Sequence, residues 1–237
     1  MSLKNNFTIE EVRAFWDSVA GIYERENNKI YETHHQRFFE AIKYFDLKNG
    51  DRVLNIWSRT GLAVSFLRNK NKDIELYNLE VSPQMIKRAE EKFPGEKFGL
   101  TDLFKINFSD NYFDYILSLE TLEHCPKPSA FLRELNRLLK PGGKLVLSTP
   151  PASCELIYSI YNFFGFGHGE GPHRFLSSKK VKQLLLEENF KLLEHRGTLL
   201  IPVGPKFIKN IGEKIIQKFQ NTFISELGIR QFYICEK

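Results

Sequence analysis

The chain has 237 residues, of which 42% are hydrophobic and 27% charged, values ordinary for a soluble globular protein with enough length for one large core. This excludes a mainly disordered or collagen-like chain, and no run approaches the roughly 18 consecutive apolar residues of a membrane span. The net charge is +5, and residues 1–150 hold 22 Lys and Arg against 21 Asp and Glu, so the excess sits in the last third. It is too mild for a nucleic-acid partner, yet it permits an anionic substrate or surface.

The N-terminal stretch has no apolar signal core, which points to a cytoplasmic protein. Cys125, Cys154 and Cys235 are far apart and form no C-x-x-C pair. That spacing argues against a disulfide framework or a zinc site and suits three ordinary thiols in a reducing compartment.

Thr8 and Glu11 have capping-box spacing, and a helix follows from Ile9 to about Tyr23 with Phe15, Val19 and Ile22 on one face. Residues 34–46 read as a second helix, with His34 and His35 at its surface. The turn Asn49-Gly50-Asp51 leads into a buried strand at 52–56, and a helix runs from Gly61 to Arg68. A strand at 74–80 ends on Glu80. Ser82 and Pro83 then start a helix reaching Phe93. Strands follow near 98–101 and at 113–118, then a helix at 129–140 stopped by Pro141-Gly142-Gly143, then a strand at 144–149. Cys154 to Phe164 reads as helix and 165–171 as a glycine-rich loop with His168 and Glu170. Ser177 or Ser178 caps a helix to Glu188. Strands at 190–195 and 231–235 pair antiparallel, with an amphipathic helix at 206–219 between them. Alternating strands and helices predict an α/β, Rossmann-like doubly wound fold: seven strands, mostly parallel, with an antiparallel terminal strand and helices on both faces.

In such a sheet a nucleoside ligand lies beyond the C-terminal strand ends at the switch point, with a glycine turn after the first strand and an acid ending the second. Gly61 and Glu80 occupy those places; Glu80 lies 25 residues beyond Asn55. The block NFSDNYFDYILSLETLEHCPKPSAFLRELNRLLKPGGKLVLSTPP at 107–151, the turn Glu80-Val81-Ser82-Pro83-Gln84-Met85, and Thr101-Asp102-Leu103 then resemble the class I S-adenosylmethionine-dependent methyltransferases. The similarity is to the branch that methylates small molecules, quinones and lipids, and it runs from about residue 10 to 200.

The resemblance implies S-adenosylmethionine as cofactor, with Glu80 on the ribose hydroxyls, Val81 and Met85 lining the adenine pocket, Asp102 accepting from the adenine amino group and Leu103 covering the ring. It places Leu119 and Glu120 beneath the methionine end, and Tyr23 as a closing residue. His124 sits in the turn beside the active site, either as a general base on a substrate hydroxyl or as a structural histidine bonded to backbone. The first loop departs from the family. Asn55 replaces the acid that would pair with the cofactor ammonium, and Trp57 and Arg59 stand where glycines let the backbone approach. These changes would weaken cofactor binding. Arg59 offers partial compensation as a contact to the methionine carboxylate. Trp57 either stacks on a ligand or packs inward.

His168 and His173 fall in the loop that resembles the family's substrate side, where they either face the acceptor or belong to a mobile, solvated segment. No third ligand supports a metal site there. Phe207, Ile208, Ile211, Ile215 and Phe219 share one face of the 206–220 helix, bordered by Lys206, Lys209, Lys214 and Lys218. The ordinary reading packs that face in the core; the alternative lays it on an anionic membrane or over the substrate as a cap. The chain thus reads as one methyltransferase-like domain, with residues 1–46 as a helical cap, 47–151 as the cofactor-binding core and 152–237 as the substrate-side segment with the last strands. The expected function is methyl transfer to a small-molecule, lipid or saccharide acceptor. The competing expectation is an inactive methyltransferase-like binding or regulatory protein.

Overall fold

The computed structural model describes residues 6–155, 171–202, 204–220 and 222–237. Among the described residues seven strands form one sheet: β1 (Arg52–Ile56), β2 (Glu75–Glu80), β3 (Phe98–Leu100), β4 (Phe113–Leu119), β5 (Leu139–Thr149), β6 (Lys191–Thr198) and β7 (Arg230–Glu236). Their order is β3-β2-β1-β4-β5-β7-β6, parallel through β5, with β7 antiparallel to both β5 and β6. The expected sheet is therefore present, and its chain reversal falls between β1 and β4.

Alternation along the strands divides the core between two faces. Leu54, Ile56, Ile116, Leu145 and Leu147 join Val12, Trp16, Met85, Leu132, Leu135 and Leu184 in one cluster. Val53, Leu117, Val146, Phe232 and Ile234 join Phe38, Ala41, Phe45, Val64 and Leu67 in the other. The helices that supply these residues are α1 (Ile9–Val19), α3 (Tyr31–Ile42), α4 (Ala63–Lys70), α5 (Pro83–Lys92), α6 (Pro128–Leu138) and α7 (Ser178–Glu187). Two further helices, α2 (Tyr23–Asn28) and α8 (Lys206–Lys218), lie outside both clusters apart from Tyr23.

Several boundaries differ from expectation for identifiable reasons. The capping box at Thr8 and Glu11 forms as predicted, but α1 stops at Val19 and the chain turns before α2. That turn sets Tyr23 edge-on against Trp16, 6.0 Å between ring centroids. Helix α3 ends at Ile42 rather than residue 46, which lets Phe45 pack on Tyr115 at 4.9 Å. Its first turns also bury His34, expected at the surface, whereas His35 is only partly buried. Helix α6 ends at Leu138, and Leu139 already pairs with Phe113 in the sheet.

The largest correction concerns α8. Its buried residues are Gly212 and Ile216, while Phe207, Ile211, Ile215 and Phe219 are exposed. Gly212 lets the helix approach Ile201 closely, so the contact face is the small-residue side rather than the apolar stripe. Among the described residues no helix is long and apolar enough to cross a membrane. The three cysteines are buried free thiols, and burial pushes each up to about 12. The 165–170 part of the glycine loop, with His168 and Glu170, and the helix expected after Glu155 lie outside the described residues.

Candidate functional site

The strand ends at the switch point carry two turns of opposite character. The β2–α5 turn is fully bonded. Glu80 is buried, and its carboxylate accepts from the backbone N–H of Arg59 (2.6 Å), Val81 (2.8 Å) and Ser82 (3.1 Å). Burial pushes its pKa up, opposed by Arg59 and by those three amides. A carboxylate has about four acceptor positions, so one on Oε2 is unfilled, and a ligand hydroxyl reaches it only if the surrounding side chains move, because Glu80 is fully buried. Ser82 caps α5 by accepting from Met85 N at 3.1 Å and donates to Asp17 of α1 at 2.6 Å. Arg13 of α1 donates to the Val81 carbonyl at 2.9 Å, so α1 is tied down across this turn.

The β1–α4 turn is strained. Trp57 has φ 60° and Arg59 φ 53°, both in the left-handed region that costs an L-residue about 1–2 kcal/mol. Gly61 has φ 77°, and a Cβ there would lie 2.8 Å from the Phe98 ring, so this glycine is required by both conformation and space. The strained backbone turns both large side chains inward. The Arg59 guanidinium lies 3.7 Å from the Trp16 ring centroid and 4.8 Å from that of Trp57. It donates weakly to the Glu120 carbonyl at 3.5 Å. Burial lowers its pKa; Glu80 counters this, and the charge of Arg37 adds to it.

Tyr23, Arg37, Asn55, Trp57, Ser58, Arg59 and Leu119 line a common cavity of about 20 Å³, room for about one water. Asn55 holds its amide against Asn78 Oδ1 at 2.9 Å, across the β1–β2 pair. Val81, Met85 and Leu103 are fully buried, whereas Asp102 is exposed and accepts from Phe104 N at 2.9 Å. Glu120, at φ 53°, accepts from Ser148 (2.6 Å) and from Arg230 (3.1 Å).

His124 is buried in the short turn Leu122–His124, with Nδ1 donating to the Pro172 carbonyl at 3.0 Å. That bond fixes Nε2 as the unprotonated nitrogen. Burial, then Arg59, holds its pKa well below the ordinary value, so the ring is neutral near pH 7. It packs edge-on against Trp16 at 5.3 Å and lies 6.4 Å from the His173 ring. His173 is buried and donates from Nδ1 to the Gly171 carbonyl at 2.8 Å.

Sequence reasoning missed Trp16, Arg37 and Glu123. Trp16 and Arg37 each fall on the buried stripe of a helix, Trp16 with Val12 and Val19, Arg37 with His34, Phe38 and Ala41. A cation on an otherwise buried stripe is the signal that would have found Arg37. Glu123 is buried beside His124 and accepts from Thr149 at 2.9 Å.

The residues fit the adenosyl half of a nucleoside cofactor, through the unfilled acceptor position of Glu80 and the apolar Val81, Met85 and Leu103. At the other end the buried donors of Arg37, Trp57, Ser58 and Arg59 lack partners, as a ligand's anionic group would require. The guanidinium of Arg59 now occupies that space between two indoles, so a ligand enters only as it moves.

Residues 54–147 match the family model for the methyltransferase domain. Over 236 residues, 97% of this chain and 92% of the other, the chain is 27% identical to a demethylmenaquinone methyltransferase of Staphylococcus haemolyticus. It is 27% identical over 172 residues, 69% of this chain and 70% of the other, to a ubiquinone/menaquinone biosynthesis C-methyltransferase of Desulfotalea psychrophila. A solved S-adenosylmethionine-dependent methyltransferase from Archaeoglobus fulgidus shares the fold, with a TM-score of 0.63 at 19% identity over 91% of this chain and 99% of that one. The fold is the Rossmann-like α/β fold shared with solved methyltransferases. The match at 54–147 and the named relatives support a class I S-adenosylmethionine-dependent methyltransferase of the small-molecule branch, with S-adenosylmethionine as its cofactor.

Proposed function

We propose that the protein is a cytoplasmic enzyme that methylates a hydroquinone-class small molecule, a ring whose carbon becomes the nucleophile when a ring hydroxyl loses its proton and which sheds its own C–H proton once the methyl group is in place. The observation that carries this reading is Glu80, ending β2 beside the β1–α4 turn with one acceptor position unfilled. The quinone class rests on similarity to relatives named for that chemistry.

S-adenosylmethionine supplies an electrophilic methyl group when bound. On this reading Glu80 holds the ribose hydroxyls, Val81, Met85 and Leu103 enclose the adenine, and Asp102 meets its amino group. Leu119 and Glu120 support the methionine end, with Gly61 keeping the turn close. Tyr23 and Trp16, on the helical cap of residues 1–46, close the site and exclude water. His124 Nε2, neutral and oriented by Pro172, accepts the acceptor's hydroxyl proton; positioning supplies much of the remaining rate. His173 lies on the acceptor side of His124, and His168 is proposed there from its place in the same loop.

Titration calorimetry with S-adenosylhomocysteine tests the assignment. Glu80→Gln keeps the shape and removes the charge, and should weaken binding by about 10- to 100-fold, the loss of one charge-assisted hydrogen bond. Unchanged affinity would remove Glu80 from the site.

A quinone with an isoprenoid tail resides in lipid, and the exposed ridge of α8 suits that source. Phe207, Ile211 and Phe219 stand outward beside Lys206, Lys214 and Lys218. Such a helix binds anionic membranes through buried apolar area plus charge attraction. Co-sedimentation with anionic vesicles should therefore fall several-fold in a Phe207→Ser/Ile211→Ser double variant, while neutral vesicles bind little. The non-catalytic alternative, a binding or regulatory protein, draws on the filled cleft around Arg59 and Trp57. It predicts no S-adenosylhomocysteine binding at millimolar concentration.

A further inference from the structure

The β1–α4 turn and α3 bring two buried guanidinium groups to one cavity, and neither has a carboxylate within ion-pair distance among the described residues. Arg59 Nη1 and Arg37 Nε are both buried without a hydrogen-bond partner. Two further donors lining the same cavity, Trp57 Nε1 and Ser58 Oγ, are equally orphaned. Among the described residues Arg37 otherwise meets His34 Nε2 at 2.6 Å and the Tyr23 hydroxyl at 3.4 Å, besides the Phe38 ring. Among the described residues the Arg59 guanidinium meets the two indoles and the Glu120 carbonyl, with the charge of Glu80 acting on it from beyond ion-pair distance.

Buried charges are normally paired, and buried donors normally bonded, because each unpaired group forfeits its hydration. Here two cations and two neutral donors face one small space, with strained backbone holding two of their side chains in it. Asn55, which lines the same cavity, is uncharged and commits its amide to Asn78. Among the described residues none of the cavity's lining side chains is a carboxylate, so the lining suits negative charge.

We propose that Arg59 and Arg37 form an anion pocket at the methionine end of the cleft, which selects the ligand by its carboxylate and ignores its ammonium group. The inference rests on the cofactor reading above and assigns Arg59 as the specificity-determining residue of that site. A planar guanidinium can present two parallel N–H groups to one carboxylate, which a glycine turn cannot do. Ligand entry exchanges the indole contacts of Arg59 for that bidentate pair, so the side chain that fills the cleft is the one that grips the ligand.

The test is calorimetry on the intact chain with three probes: S-adenosylhomocysteine, its deaminated analogue, which keeps the carboxylate, and its decarboxylated analogue, which keeps the ammonium. Removing the amino group should change affinity by less than about threefold, and removing the carboxylate should weaken it by about 30-fold or more. Arg59→Gln should abolish that discrimination, and Arg59→Lys should restore part of it. Weaker binding of the deaminated than of the decarboxylated analogue would overturn the pocket and leave the cofactor reading intact. If none of the three binds at millimolar concentration, the cofactor reading fails, and malonate and inorganic phosphate become the probes. An Arg59-dependent rise in Tm with either would still support an anion pocket, and no rise with both would overturn it. The analogue series on the unaltered chain decides the matter even if Arg59→Gln does not fold.

Discussion

The turns after β1 and β2 differ by more than their sequences suggest. After β2, every group of Glu80 and Ser82 described above has a partner, and no residue takes a positive φ. After β1, two large residues sit at positive φ and three donors lack partners. The first turn is a finished piece of structure with one acceptor position to offer. The second holds strain and unmet donors, which the surrounding fold must stabilise. Strain of this kind persists only where neighbouring structure over-determines it, and it gathers at functional sites.

The harshest way to break the contrast is Gly61→Val. The left-handed backbone and the collision with Phe98 and Phe93 should together cost about 3 kcal/mol, read by urea unfolding. If stability were unchanged, the β1–α4 turn would be far more plastic than its packing implies.

Acid sharpens the comparison. His124 lies beside the strained turn and His34 behind Arg37, and burial followed by a neighbouring arginine charge lowers the pKa of each. His195, stacked on Tyr233 at the far edge of the sheet, is lowered to about 4 by burial and then Lys182. A histidine depressed in the folded state binds more protons when unfolded, so stability is complete above the unfolded value near 6.5 and declines as pH falls below it. For His195 the decline ends near pH 4 and amounts to about 3 kcal/mol. Denaturation midpoints at pH 7.5, 6 and 5 should fall in that order, and His195→Phe should flatten part of the slope. A profile level from pH 7.5 to 5 would contradict the burial of all three rings.

The smallest effect belongs to the finished turn. Ser82→Ala removes the α5 cap and the bond to Asp17, and should cost about 1 kcal/mol in urea unfolding. A loss of several kcal/mol would mean that the β2–α5 turn, rather than its neighbour, carries the tension.

Much of the site was legible because its signals are local. Glu80 follows from the end of an apolar strand, Ser82 and Pro83 from helix-start chemistry, and Gly61 from its place after β1. Trp57 and Arg59 were visible as departures, but whether they packed inward or faced a ligand depends on what stands opposite them. Trp16 and Arg37 stand there, 43 and 22 residues earlier in the chain than Arg59, which they face. The outward ridge of α8 was misread because helical periodicity identifies an apolar face without saying whether anything covers it.

The sequence by itself determined the order of strands and helices, the doubly wound sheet and the acid at the end of β2. Those depend on period, caps and turn residues, which act over a few positions. Only the tertiary structure decided that Arg59 lies between two indoles beside Arg37, that His34 and His124 are buried and neutral, and that α8 keeps its apolar stripe in the open. Each of these is set by burial and by partners distant in the chain, since a charge, a ring or an apolar face takes its energy from what surrounds it.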